Sequence, residues 1–502
     1  MTSARYDLAI VGSGFAGSLL AMIARRLGLS VALIEKGKHP RVVIGESSTP
    51  LSNLILEELS ERYNLPRIRP LSKWGTWQRE YPHIACGLKR GFTFYHHSLD
   101  GESNPGASRD KQLLVAASPH DEISDTHWYR ADFDHFLVQE ARRMGVEYAD
   151  ETVLRSVSES ADEVALEGPG TRFRARWVVD ATGPRGFLFR ALQLEEAPVT
   201  GFPATQALYS HFSGVARLES LAEFRSDEAP PYPVDDAAVH HVFDGGWAWV
   251  LQFNNGSASA GVASTSKIAD RLQLAEGAAA WERLLDRIPA LRKQFAAARA
   301  ERPFVHLPRL SFRSRTVVGA RWALLPSAAG FVDPLLSTGF PLTLLGVARL
   351  AEILEAGWSA ERLANYAAQT ERELLATARL LGGLYRSMGD FEEFTALSLL
   401  YFAAASYSET ARRLGKPHLA ASFLLCDSSF GEGCRELLGR PHTREEIGKL
   451  IEPIDVAGLT KAGRRNWYPV EARDLLDSAA KLEATKEDMA RLLERCGLAA
   501  HR

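Results

Sequence analysis

The chain has 502 residues, 24% of them charged and 46% hydrophobic, with a formal net charge of -3 at pH 7. That length predicts two or three structural units rather than one small core, enough for a complete enzyme. The near-neutral charge gives no reason to expect nucleic acid or an anionic membrane as a partner. Four cysteines without a CxxC pair indicate neither a disulfide framework nor a thiolate metal site, so a reducing, cytoplasmic setting is expected.

The opening "YDLAIVGSGFAGSLLAMIA" superficially resembles a secretion signal, but Asp7 and its glycines interrupt the apolar run. A strand, a turn and a helix explain it better. "YDLAIV" suits a buried parallel strand, "GSGFAG" turns directly into a helix, and "SVALIEK" gives a second strand ending at Glu35. This order makes a dinucleotide-binding unit. Gly12 allows the tight turn, Gly14 lets a pyrophosphate approach the backbone, and Gly17 lets helix and strand pack closely, with Ser13 and Ala16 between them. Glu35 can accept ribose hydroxyls, and its charge disfavours a ribose phosphate, which argues for FAD or NAD over NADP.

"HPRVVIGESSTP" follows, with Arg41, Glu46 and Ser47 able to line a cofactor approach or simply to satisfy a loop. "ACGLKRGFTFYHH" then sets Lys89 beside an aromatic alternation that reads like a buried strand. An ordinary lysine there would snorkel to solvent. In "HWYRADFDHFLVQEARR", Arg130 is placed to reach an anionic cofactor and Asp132 to cap the helix that follows. "VVDATG" ends a further strand in a turn and resembles the second nucleotide-contact motif of FAD monooxygenases, which would place Asp180 and Gly183 near the dinucleotide site.

Residues 191–315 carry short apolar and aromatic runs between Gly- and Pro-rich turns, as expected for a sheet-built substrate domain. Within them, "GWAWVLQF" puts Trp247 and Trp249 on one strand face. "ARWALLPSAAGFVDPLLSTG" supplies another buried strand and glycine-rich turn. Ser327 can donate to a cofactor, Asp333 can organise the turn, and the backbone amides of Thr338 and Gly339 can hold an anion. Helical periodicity dominates afterwards. "ALSLLYFAAASY" is too short to span a bilayer, so no transmembrane anchor is expected, and "VEARDLLDSAAKLEATKEDMARLLERCG" reads as an amphipathic helical pair or one long helix with a packing role. The adjacent pairs His96-His97 and His240-His241 lack the further ligands of a metal centre, so no metal is expected.

"GSGFAG", "HPRVVIGESSTP", "CGLKRGFTF", "GWAWVLQFNNG" and "GFVDPLLSTG", in that order, resemble the flavin-dependent halogenases, closest to those acting on phenolic substrates. The resemblance covers about residues 5–355. It implies an α/β, FAD-dependent monooxygenase-like doubly wound fold with a substrate-domain β-sheet and a helical C-terminal region. The FAD-binding domain would comprise 1–190 and 316–355, interrupted by substrate-domain segments near 75–125; 191–315 would be the main substrate domain and 356–502 the helical region. In the resembling enzymes a separate, transiently bound reductase supplies FADH2, oxygen forms a flavin hydroperoxide, and chloride or bromide attacks it to give hypohalous acid. This travels internally to a small aromatic substrate, free or carrier-tethered.

Carried over, the catalytic lysine is Lys89, which either hydrogen-bonds the oxidant or forms a transient haloamine. Trp247 and Trp249 would wall the flavin compartment from the halogenation chamber, and Thr338 and Gly339 would edge a halide site. Three departures qualify the match. Leu251-Gln252 replaces the usual Ile-Pro, Pro326-Ser327 replaces a Gly-Asp pair, and Leu336 stands where tryptophan halogenases commonly have a glutamate. The last favours a phenol, whose own hydroxyl activates the ring, over an indole. The enzyme alternative is a flavin-dependent aromatic hydroxylase or other oxidoreductase; the non-enzymatic one is a flavin-binding interaction or sensor protein.

Overall fold

A computed structural model of the protein describes residues 5–99, 106, 108–225 and 228–498. Arg5–Val11 forms an inner strand of a seven-stranded sheet, with Leu8, Ala9 and Ile10 wholly buried, as a parallel strand covered on both faces must be. Val31–Ile34 and Thr171–Asp180 flank it in parallel, bringing Ile34 and Asp180 level with Val11. Trp322–Leu324 adds in parallel beside Thr171–Asp180, and Glu147–Ala149 beside Val31–Ile34. Val164–Gly168 and Ser156–Glu159 return antiparallel. Distant parts of the chain thus end at one carboxyl edge, where open α/β sheets form ligand crevices.

The helix Phe15–Arg26 covers this sheet and packs against Arg130–Arg143 and Gly339–Ala356. Asp132 does not cap the second of these helices. Tyr129 occupies the cap position without a side-chain bond, while Asp132, already inside the first turn, accepts the Ala85 N–H at 3.1 Å.

A nine-stranded sheet runs in the order Arg299–Ala300, Thr205–Ser213, Ser257–Thr265, Gly246–Gln252, Ala238–Phe243, Gly91–His96, Gln112–Ala116 and Trp467–Tyr468, with Val305–Leu307 also paired to Thr205–Ser213. The sequence pattern gave no sign that Trp467–Tyr468 would cross back to this sheet. The four histidines of the adjacent pairs lie on its neighbouring strands Gly91–His96 and Ala238–Phe243 or just beyond, and three are interior rather than at the surface: His97 shares a 2.9 Å hydrogen bond with His241, and His240 stacks on Phe94.

Gly339–Ala356, Ala360–Ser387 and Phe391–Arg413 are the long helices of the C-terminal half. The third contains "ALSLLYFAAASY", with Leu397, Leu400 and Tyr401 buried. The later amphipathic stretch is a broken pair. Ala472–Asp477 and Lys486–Arg495 are separated by a short 3-10 turn, by left-handed Glu483 (φ 51°), and by Thr485, which forms a capping box with Asp488. Among the described residues, no helix is long and apolar enough to cross a membrane.

Candidate active site

The glycine turn is tight for identifiable reasons. Gly12 has φ 101°, and a Cβ there would lie 2.7 Å from the Ala181 carbonyl group; a Cβ on Gly17 would lie 2.0 Å from the Gly12 carbonyl oxygen. Gly14 differs. It caps the helix Phe15–Arg26, and only side-chain ends, those of Arg130 and Asp134, come within 4 Å of a Cβ built on it. Ala16 is buried in the first turn. Glu35, just past the second strand, accepts from the Ser13 N–H and hydroxyl, the Gly37 N–H and the Arg41 guanidinium at 3.0–3.1 Å. Burial pushes its carboxyl up, but Arg41 and the bonds from Gly37 and Ser13 outweigh this and hold it below the usual range.

Asp180 ends level with the turn but spends its oxygens locally, on the Thr182 N–H and hydroxyl and the Leu188 N–H. Gly183 follows with φ 82°, and Ser327 is half-buried in the short helix Pro326–Ala329, next to the Leu325 N–H that donates to the Asp180 carbonyl. Arg130 is buried beside Gly14. It pairs with Asp134 and donates to the Gly45 carbonyl at 2.9 Å, which ties the glycine turn to the 45–48 segment.

That segment leads to Lys89. Glu46 and Ser48 make backbone bonds to the strand Asp125–Trp128, which pairs antiparallel with Cys86–Lys89 so that Lys89 stands opposite Asp125. The lysine side chain is fully buried. Its Nζ donates to the Ser47 hydroxyl at 2.9 Å and the Ser48 carbonyl at 2.5 Å, and lies 3.8 Å from the centre of the Phe92 ring. Burial drives its pKa down, while the Asp125 carboxylate works against that fall. Arg90 turns elsewhere, to Asp121 and the Pro119 carbonyl. Gly87 explains how the strand is placed: a Cβ there would sit 2.0 Å from the Gln252 carbonyl, and Asn254 clamps Cys86 by two bonds.

Beyond Phe92 opens a cavity of about 500 Å³, lined by Leu54, Phe92, Asp125, Tyr401, Phe402 and Leu492 among others. Its volume suits a small aromatic molecule. The last helices, expected only to pack, supply one of its walls through Leu492 and Leu493. Trp247 and Trp249 sit together on Gly246–Gln252, ring centres 5.6 Å apart. Trp247 donates to the Tyr385 hydroxyl, which donates to Asp333 at 2.9 Å; the other Asp333 oxygen accepts the Leu335 N–H. Both oxygens of Asp333 therefore serve the turn and the support of Trp247, while Trp249 donates to the Ser259 hydroxyl, and burial pushes the Asp333 carboxyl up to about 7. Leu336 and Ser337 are left-handed, φ 62° and 56°, immediately before Thr338 and Gly339 open the 18-residue helix. Left-handed backbone at two consecutive non-glycine residues stores strain of the kind that marks functional turns.

The tryptophan halogenase family matches residues 113–388, more than half of the chain. A tetracycline 7-halogenase from Kitasatospora aureofaciens is 30% identical over 385 residues, 74% of this chain and 68% of the relative. The chain belongs to the flavin-dependent halogenase family. The monodechloroaminopyrrolnitrin halogenase PrnC of Pseudomonas fluorescens is 29% identical over 412 residues, 80% of this chain and 71% of that one. Among solved structures, the halogenase PltM in complex with phloroglucinol and FAD superposes with a TM-score of 0.80 at 25% identity, covering 92% of this chain and 99% of PltM.

FAD is the cofactor of this halogenase, and the residues present fit it. Gly14 leaves the backbone open at a helix N-terminus, with only the Arg130–Asp134 pair beside it, and Glu35 is held below the usual carboxylate range, ionised for hydroxyl donors. Two departures in the sequence have physical outcomes. At the first, Gly246–Gln252 is paired through Gln252, whose carbonyl faces Gly87. Leu336 is wholly buried, so no carboxylate enters from that position.

Sequence reading missed Asp125, Phe92, Tyr385 and the buried Glu46–His211 pair, in which His211 Nε2 meets Glu46 Oε1 at 2.8 Å. The polar members carry no local motif; they meet only through strand pairing and helix return.

Proposed function

We propose that this halogenase chlorinates or brominates a small phenolic or related electron-rich aromatic substrate, with Lys89 guiding the oxidised halogen. The observation that carries the reading is a fully buried lysine bonded to the segment behind the glycine turn and resting on an aromatic ring of the cavity. Bound reduced FAD supplies the oxygen activation that converts halide into hypohalous acid. A separate reductase delivers the reduced flavin in a transient encounter, as the family resemblance implies.

Thr338 and Gly339 present first-turn N–H groups to the halide, where a helix start favours negative charge. Trp247, fixed through Tyr385 and Asp333, and Trp249, fixed through Ser259, wall off the compartment and exclude water. Lys89 donates a hydrogen bond to the oxygen of hypohalous acid, which stabilises the charge that develops as the halogen leaves it. Ser47 and the Ser48 carbonyl orient the amine for that task.

The phenolic preference is supported by Leu336, which leaves the strained turn without an acid, and by the similarity to PltM, whose complex holds the trihydroxybenzene phloroglucinol. Incubation of the holoenzyme with regenerated FADH2, oxygen, chloride and an equimolar panel tests it. The panel contains resorcinol, phloroglucinol, free tryptophan and a carrier-bound pyrrole. Chlorinated phenols as the main products are expected; chlorotryptophan or chloropyrrole as the main product would reject the substrate class.

A further inference from the structure

Asp125 stands opposite Lys89 on the paired strand, lines the cavity, and is 5% exposed. One carboxylate oxygen accepts from Asn53 Nδ2 at 2.9 Å, and Asn53 also donates to Ser48, whose carbonyl holds Lys89. The other oxygen, Oδ2, is buried with no hydrogen-bond partner. An unsatisfied buried acceptor costs about 1–3 kcal/mol. Lys89 does not relieve it: its bonds go to Ser47 and Ser48, and the two side chains form no direct ion pair among the described residues. A donor arriving in the cavity would.

We propose that Asp125 Oδ2 receives the hydroxyl of the substrate and acts as the general base that converts a phenol into the reactive phenolate. This inference rests on the phenolic reading above. The cavity around the carboxylate is aromatic, with Phe92, Tyr401 and Phe402 placed to take a ring. The charged and titratable groups facing Asp125 are Lys89 on the paired strand and Glu409, Arg413 and Tyr401 on the helix Phe391–Arg413. Burial raises the Asp125 carboxyl while Lys89 opposes the rise, which strengthens it as a base towards a phenol.

In the step, the phenolic proton passes to Oδ2 and the O–H electron pair flows into the ring. A ring carbon bonds the halogen as the halogen–oxygen bond of hypohalous acid breaks. The departing hydroxide removes the hydrogen from that carbon and leaves as water, and the phenolate product takes its proton back from Asp125. Phenol and hypohalous acid thus give halophenol and water.

The test uses the holoenzyme with reductase-regenerated FADH2 and compares resorcinol with its dimethyl ether, which has an electron-rich ring but no proton to remove. Asp125→Asn should lower kcat/KM for resorcinol about 100-fold more than that for the ether, the usual scale of general-base catalysis, any fall on the ether reporting the counter-charge that Lys89 loses. Equal losses on both substrates would mean a structural role and overturn the proposal, as would no loss on either. Should the variant fail to hold FAD, the wild-type enzyme decides. Its resorcinol-to-ether ratio should rise through neutrality and level off above it, because the Asp125 carboxyl is raised to about 7 and Lys89 acts equally on both substrates and cancels. A ratio that keeps climbing towards the ionisation of resorcinol in water, or one that is flat, would overturn the base. Wild-type enzyme inactive on resorcinol defeats the phenolic reading and this inference with it, whereas activity unchanged in Asp125→Asn defeats the base alone.

Discussion

Replacing Lys89 with methionine is expected to cut halogenated product by about 10²–10³-fold, the range seen when one preorganised donor to developing negative charge is removed. Methionine keeps an unbranched chain of similar reach against Phe92, so packing changes little. FAD binding should persist, because the Nζ bonds end on Ser47 and Ser48 and none reaches the glycine turn or Glu35. Lys89→Arg should not rescue: a planar guanidinium needs a wider site than a fully buried ammonium between two serines and a ring. Arg90→Gln should remain close to wild type, since Arg90 serves Asp121 and the Ser118 and Pro119 carbonyls and makes no bond to Lys89's partners. Product quantified per FADH2 oxidised checks all three. Turnover of Lys89→Met within about 3-fold of wild type would remove the lysine from the chemistry.

Gly17→Ala is expected to weaken FAD binding by about 100-fold. Its Cβ would stand 2.0 Å from the Gly12 carbonyl oxygen and 3.1 Å from Ala181 Cβ, against backbone that cannot rotate away. Gly12 cannot yield by changing conformation, because its own φ of 101° is fitted against the Ala181 carbonyl group. Over-packing of this kind costs about 3 kcal/mol. If the glycine turn deforms to relieve the clash, the same free energy appears as roughly 100-fold weaker flavin binding. Flavin fluorescence titration measures it, and an unchanged dissociation constant would show that the turn does not form the pyrophosphate cradle.

Local signals made much of this legible. The glycine turn and Glu35 could be placed because strand, turn and helix are consecutive, and the tryptophan pair because strand alternation assigns a face to each residue. Lys89 stood out as a charge in an apolar alternation. What the chain could not disclose is long-range. Asp125 reaches Lys89 through an antiparallel pairing of strands 36 positions apart in register, and Asn53 and Ser48 join them from a third segment. Tyr385, on a helix far beyond the tryptophans, supports Trp247. The cavity wall near Leu492 looked like ordinary amphipathic packing, because an apolar helix face reads alike whether it meets a core or a substrate cavity. The helix cap expected of Asp132 failed because the helix begins two residues earlier.

In the proposed function, oxidising power generated at FAD leaves as an oxidised halogen and is delivered past Lys89 to an aromatic ring. Isotope-resolved mass spectrometry of resorcinol turned over by the wild-type holoenzyme with FADH2 and oxygen, with bromide and then without any halide, tests it most directly. The paired bromine isotope pattern is expected on the ring with bromide, and unmodified resorcinol without halide. A hydroxylated resorcinol carrying oxygen from O2, formed equally with and without halide, would contradict it.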